Sequence, residues 1–116
     1  MHDTSLIELQ DLPNGGGSDK NLKKDIQSIG SGLRQVMALQ PVSWRWKSAK
    51  PGKSEERGFV AQEIEKVLPE LVYLDVWEDG TERKFVKTKE MIPYLVAAIQ
   101  EQQKQIETLR KEIEKK

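Results

Sequence analysis

A hydrophobic residue recurs every seven positions through the last quarter of the chain. Isoleucine occupies positions 92, 99, 106 and 113, and a leucine or glutamine follows three residues after each of the first three. This a/d heptad predicts a coiled-coil helix over residues 92–116, about 37 Å long at 1.5 Å per residue. The positions of this heptad seam are Ile92, Leu95, Ile99, Gln102, Ile106, Leu109 and Ile113.

The heptad seam is too narrow to stabilise an isolated helix, so it requires partner helices and predicts an oligomer. Polar and charged residues occupy most of the other positions beyond residue 100. Isoleucine at each a position does not set the number of chains. Gln102, a polar d residue, favours a defined register at some cost in stability. The pattern favours a coiled coil of three helices, and a coiled coil of two helices remains open.

Composition excludes several classes of function. A chain of 116 residues allows one small domain, and its net charge of zero argues against bulk attraction to nucleic acid or to a membrane surface. It has no cysteine and a single histidine, His2, so we expect no disulfide, no metal site and no histidine-based active site. We find no nucleotide or cofactor motif. No apolar run approaches the roughly 20 residues of a membrane span.

Charge is segregated along the chain, although it sums to zero. Residues 18–53 carry eight basic and two acidic side chains, whereas residues 54–82 carry two basic and nine acidic ones. A basic stretch containing Trp44 and Trp46 is compatible with nucleic-acid binding. The adjacent acidic stretch balances it, so we expect the two to face each other within the fold or across subunits.

The sequence divides into three parts. Residues 1–17 hold a short apolar stretch and then three consecutive glycines, which are typical of a hinge. We interpret them as the end of an upstream region. Residues 18–91 form the body, and residues 92–116 form the coiled-coil helix.

The body has the mixed periodicities of an α+β domain. Helical spacing occurs in residues 22–29, 33–37 and 61–68, whereas residues 42–47 alternate as a strand and residues 48–57 read as a loop. Two strands, 71–77 and 82–87, flank an Asp79-Gly80 turn. The predicted core consists of Phe59, Val60, Ile64, Val67 and Leu68.

Five segments in this order resemble one known family. They are SDKNLKKDI, PVSWRWK, GFVAQEIEKVLPELV, a DG turn, and MIPYLVAAIQEQQKQIETL. The resemblance is to the C-terminal intramolecular chaperone domain of phage endosialidases, tailspikes and tail fibres, and it covers residues 18–116. Related domains occur in bacterial fibre proteins and in myelin regulatory factor.

The resemblance implies a parallel homotrimer that guides the folding of an N-terminal passenger fibre or spike and then cuts itself off. The family's S-D-x-x-L-K pattern begins at Ser18, so Ser18 matches the nucleophile, Lys23 the base and Asp19 a supporting residue. The scissile bond is then the one between Gly17 and Ser18. Such a protein assembles in the cytoplasm of a host or bacterium, and its mature fibre lies on the virion or the cell surface.

The chemistry of a serine-lysine pair is compatible with this assignment. A serine hydroxyl can attack the carbonyl immediately before it, giving an ester that water hydrolyses, and intramolecular positioning supplies much of the rate. A lysine can accept the proton only when its surroundings lower its pKa from about 10.4.

Two other interpretations remain open. Ser18 or Asp19 before a helical pattern is also typical of an N-cap, and the domain then acts as a non-cleaving trimeric cap retained at the tip of a fibre. The family's breadth also allows a regulatory domain that releases a transcription factor, which requires a DNA-binding region upstream.

Overall fold

The computed structural model describes residues 18–30, 32–52 and 54–116. The predictions for residues 1–17, including the hinge and Gly17, lie outside this range. The described chain is α+β, as predicted, with two separate two-stranded antiparallel sheets and a long C-terminal helix. Its elements are α1 (Leu33–Met37), β1 (Val42–Trp44), β2 (Glu56–Gly58), α2 (Ala61–Val67), β3 (Val72–Val76), β4 (Glu82–Val86) and α3 (Thr88–Glu114).

The helix predicted over residues 22–29 is wrong. The chain forms only a single 3-10 turn, Lys20–Leu22, and then continues without regular structure to Gly30. Asp25 adopts a left-handed conformation with φ 54°, which ends any helical path because consecutive α-helical residues require negative φ. The apolar side chains of this segment, Leu22, Ile26 and Ile29, are exposed.

Trp44 and Trp46, which both belong to the strand predicted over residues 42–47, lie together at the first sheet. Strand β1 is shorter than the predicted strand 42–47. Strand β2 begins within the last two residues of the loop predicted over 48–57, and the two strands pair Val42 with Gly58 and Trp44 with Glu56. The rings of Trp44 and Trp46 meet edge to face at 5.8 Å between centroids. A Cβ atom at Gly58 would lie 2.9 Å from Trp44 Cη2, so the absence of a side chain at position 58 leaves room for the indole ring.

The second sheet is the hairpin that the Asp79-Gly80 pair predicts. Gly80 has φ 83° and donates its N–H to the carbonyl of Trp77, while Trp77 donates to the carbonyl of Thr81, both at 2.9 Å. Asp79 Oδ1 accepts the Thr81 N–H at 2.8 Å. Hydrogen bonding from the side chain of Thr81, and then from its backbone N–H, holds the pKa of Asp79 below its usual value. The turn is therefore a three-residue loop with glycine at the left-handed position.

Helix α3 begins at Thr88, four residues before the predicted start, and carries Pro93 within it. The first half of α3 carries a second apolar stripe, and each residue of this stripe precedes a residue of the heptad seam by one position in the sequence. Met91, Tyr94 and Ala98 face the body, and Met91 and Ala98 are buried. Gly32, before α1, lies so close that a Cβ there would be 3.2 Å from Tyr94 Cδ1. The helix is thus attached to the body by one face and leaves the seam on another.

The core is small. It is a cluster of four buried side chains, Ile64, Leu68, Leu71 and Met91, with Phe59 and Val67 among the half-buried residues packed against it. Ile64 and Leu68 are predicted core members. Val60 is not, because its side chain is 45 % exposed. Leu71 and Met91 were not predicted, since they come from the turn after α2 and from the start of α3.

Candidate functional site

Ser18 and Lys23, the predicted nucleophile and base, lie within hydrogen-bonding distance. Lys23 Nζ donates to Ser18 Oγ at 3.0 Å. The contact spans five residues, and the 3-10 turn Lys20–Leu22 folds the chain back to make it. Leu22 donates its N–H to the Asp19 carbonyl at 3.0 Å, and Lys23 donates to the Lys20 carbonyl at 3.2 Å.

Asp19 caps this turn. Its Oδ1 accepts the N–H of Asn21 at 2.9 Å, and its backbone is extended, as is usual for an N-cap. The carboxylate therefore acts on the backbone of the turn that brings Lys23 to Ser18. The supporting role of Asp19 in cleavage stays a prediction.

The pair has the geometry for proton transfer between a hydroxyl and an amine. A distance of 3.0 Å lies within the range expected of a general base and its nucleophile. Ser18 and Lys23 are both exposed. The carbonyl that Ser18 would attack belongs to Gly17, outside the described residues.

The heptad seam is exposed along the whole of α3. The exposed fraction is 57 % at Ile92, 65 % at Ile99 and 70 % at Ile113. Helical residues of this size normally face a core or a partner, and a contiguous apolar stripe of this length marks an interaction surface. The other apolar members, Leu95, Ile106 and Leu109, are exposed as well.

The third feature of the structure is an aromatic cleft, which the sequence analysis does not predict. All three tryptophans line one cleft of about 660 Å³ between the first sheet and the second. Trp77 joins Trp44 and Trp46 there through the β3–β4 hairpin, which is far along the chain from β1. The remaining lining residues are Arg57, Gly58, Phe59, Val60, Ala61, Gln62, Arg83, Lys84, Phe85, Val86 and Thr88.

Metal and membrane features are absent from the part of the chain that the structure describes. No three His, Cys, Asp or Glu side chains converge there as a metal site would require. Helix α3, like the shorter helices of the described ranges, lacks an apolar stretch capable of crossing a bilayer.

The comparison with known proteins gives one family. The model of the family described as chaperone of endosialidase matches residues 18–73, from Ser18 through the start of β3. The match includes the Ser18–Lys23 turn, the first sheet and α2, but not the hairpin's second strand or α3. No curated protein matches the chain.

Proposed function

We propose that this chain, whose residues 18–73 match the model of the chaperone-of-endosialidase family, trimerises, chaperones an N-terminal fibre or spike, and then releases itself by cleavage between Gly17 and Ser18. The family supports an intramolecular chaperone that associates with a passenger in cis. The hydrogen bond from Lys23 Nζ to Ser18 Oγ carries the proposal of cleavage.

The proposed cleavage needs no group outside the chain except water. Ser18 Oγ attacks the carbonyl carbon of Gly17 while the neutral amine of Lys23 takes the hydroxyl proton. The C–N bond then breaks, Lys23 returns the proton to the departing amine of Ser18, and an ester joins Gly17 to Ser18 Oγ. Water hydrolyses the ester, leaving the Gly17 carboxylate and a free Ser18 hydroxyl.

The exposed heptad seam supports the chaperone step. Three helices packed through Ile92, Ile99 and their equivalents hold three chains in parallel at one end. This raises the effective concentration of the passenger strands that must wind together. A coiled coil has mainly local contacts and folds fast, whereas a β-rich passenger folds slowly, so the trimer forms first. We place this step in the cytoplasm during assembly, and the mature fibre on a virion or cell surface.

One observation favours the alternative of a non-cleaving cap. Ser18 and Lys23 are both exposed, so their contact also has the form of an ordinary surface hydrogen bond beside an N-cap. In that case the trimer stays attached as the tip of the fibre. The two functions differ in whether the Gly17–Ser18 bond survives.

Intact mass of freshly expressed protein distinguishes them. We expect the wild type to lose residues 1–17 with time. Ser18→Ala removes the nucleophile and Lys23→Arg keeps a charged donor that cannot act as a base, so both variants should stay full length. The matched controls are Ser28→Ala, an exposed serine ten residues on, and Lys24→Arg, beside Lys23. Both should be cleaved as the wild type is.

Two outcomes would contradict self-cleavage. One is a wild type that stays full length in folded, oligomeric protein, which would leave the non-cleaving cap. The other is cleavage that continues in Ser18→Ala, which would assign the cut to an external protease.

A further inference from the structure

The cleft between the two sheets has an unusual combination of side chains. Five of the chain's seven aromatic residues line it: Trp44, Trp46, Phe59, Trp77 and Phe85. Three of its lining residues are cationic and none is acidic. A solvent-open surface of this kind suits a partner that is both apolar and negatively charged.

One of these cations lies over an aromatic ring. The Arg83 guanidinium lies 4.9 Å from the ring centroid of Trp77, within cation–π distance, on the face of the hairpin where Tyr73 and Phe85 stack at 5.5 Å. Asp75 is the residue opposite Arg83 in the hairpin register. Lys84 pairs with Glu65 at 2.7 Å, which leaves Arg57 and Arg83 as the cleft's main positive groups.

One segment of this chain has the complementary character. Residues 1–13 contain three acidic residues, Asp3, Glu8 and Asp11, and no lysine or arginine. They also contain the aliphatic side chains of Leu6, Ile7, Leu9 and Leu12. The segment lies outside the described residues and is joined to Ser18 by residues 14–17.

We propose that the aromatic–cationic cleft between the two sheets binds the acidic, leucine-rich segment of residues 3–12 of this protein. Arg57 and Arg83 bind its carboxylates, and the indole rings cover its aliphatic side chains. The proposal rests on the association with an upstream passenger in cis but not on cleavage.

The tryptophans report occupancy directly, because residues 1–17 contain no aromatic residue. The measurement is tryptophan emission and acrylamide quenching in the full chain carrying Ser18→Ala, which keeps the segment attached. Asp3→Asn/Glu8→Gln/Asp11→Asn, or Leu6→Ser/Leu9→Ser, should shift the emission to the red and increase quenching. Glu107→Gln/Glu112→Gln/Glu114→Gln, in the second half of α3, removes the same number of charges, is the matched control, and should change neither.

A titration tests the same contact from outside. The Leu6→Ser/Leu9→Ser chain receives a peptide of residues 1–13 in trans, which should reverse the red shift. The peptide with its three acids neutralised should bind roughly tenfold more weakly, as expected for the loss of exposed charge pairs. Arg57→Gln/Arg83→Gln in the protein should weaken binding of the native peptide to a similar extent.

Three results would overturn the proposal. The first is emission and quenching unchanged by every segment variant. The second is a spectrum that responds to dilution and not to the segment, which would assign the cleft to a second copy of the chain. The third is peptide binding that does not depend on Arg57 and Arg83. None of these bears on the mass measurement, so failure here is distinguishable from failure of self-cleavage.

Discussion

At the residue scale, the Ser18–Lys23 contact depends on a turn of three residues. Asp19 caps the turn through Asn21, and the N–H groups of Leu22 and Lys23 complete it. The sequence motif supplies the two side chains that we propose to react, and they lie five residues apart. Only the 3-10 turn brings Lys23 Nζ to 3.0 Å from Ser18 Oγ, because an extended chain of that length would separate them by well over 10 Å.

The contact between Gly58 and Trp44 leads to a stability prediction. Gly58 is not in a left-handed conformation, so its importance is steric: an added Cβ would lie 2.9 Å from Trp44 Cη2 and 3.1 Å from Cζ3. We expect Gly58→Ala to lower the free energy of unfolding by about 1–3 kcal/mol, as overpacking does. Urea denaturation at one fixed protein concentration measures it.

The control is a double-mutant cycle with Trp44→Leu. Without the indole the added methyl has room, so Gly58→Ala should cost less in the Trp44→Leu background than in the wild type. An equal cost in both backgrounds would show that the indole is not what excludes a side chain at position 58.

At the element scale, helix α3 shows what periodicity can and cannot predict. The heptad of isoleucines predicts the helix and its outward seam. The second stripe, Met91, Tyr94 and Ala98, is interleaved with it, and a sequence pattern cannot assign two adjacent apolar faces to two different partners.

The wrong helix prediction and the unpredicted cleft have different physical origins. The helix predicted over residues 22–29 failed because spacing says nothing of the left-handed φ at Asp25. The sequence does not predict the cleft because Trp77 comes near Trp44 and Trp46 only through tertiary packing. For the site, residue types alone indicate an N-cap at Ser18 and Asp19, and the family motif was needed to suggest more.

The attachment of α3 to the turn after α2 should depend on pH. Tyr94 donates its hydroxyl hydrogen to Glu70 Oε1 at 3.1 Å. That hydrogen bond, with burial and the negative charges of Glu70 and Glu90, raises the pKa of Tyr94 above its usual 10.0. Since the pKa is higher in the folded chain than in the unfolded one, the contribution is complete below about pH 10 and is lost as pH rises through the folded-state pKa.

We therefore expect Tyr94→Phe to lower the free energy of unfolding at pH 8 by about 0.5–1 kcal/mol, a value reduced for solvent exposure. The difference in the free energy of unfolding between Tyr94→Phe and the wild type should become smaller above pH 10. Tyr73→Phe, on the exposed face of the hairpin, is the matched control and should show no such narrowing. A Tyr94→Phe deficit that stayed constant to pH 11 would place its origin in packing against Gly32 instead of in the hydroxyl.

At the scale of the whole molecule, the four-residue core cluster and the exposed heptad seam together indicate where the stability of the protein comes from. The core cluster is too small to supply much burial energy, since small domains bury a low fraction of their surface. Burying one isoleucine is worth about 1.5–3 kcal/mol, and the seam offers four of them per chain. Stability should therefore come largely from association between chains.

Association has a thermodynamic signature that a monomer lacks. When only the folded oligomer is stable, the midpoint of thermal unfolding rises with protein concentration. We expect this for the wild type, together with a trimer mass by sedimentation equilibrium. Ile106→Asp places a carboxylate in the seam of every subunit, so it should lower both the mass and the midpoint. Thr108→Asp adds the same charge on the outer face of α3 and should leave the trimer intact. A wild type whose midpoint is independent of concentration, or an Ile106→Asp chain with the wild-type mass, would mean that the seam does not hold the chains together.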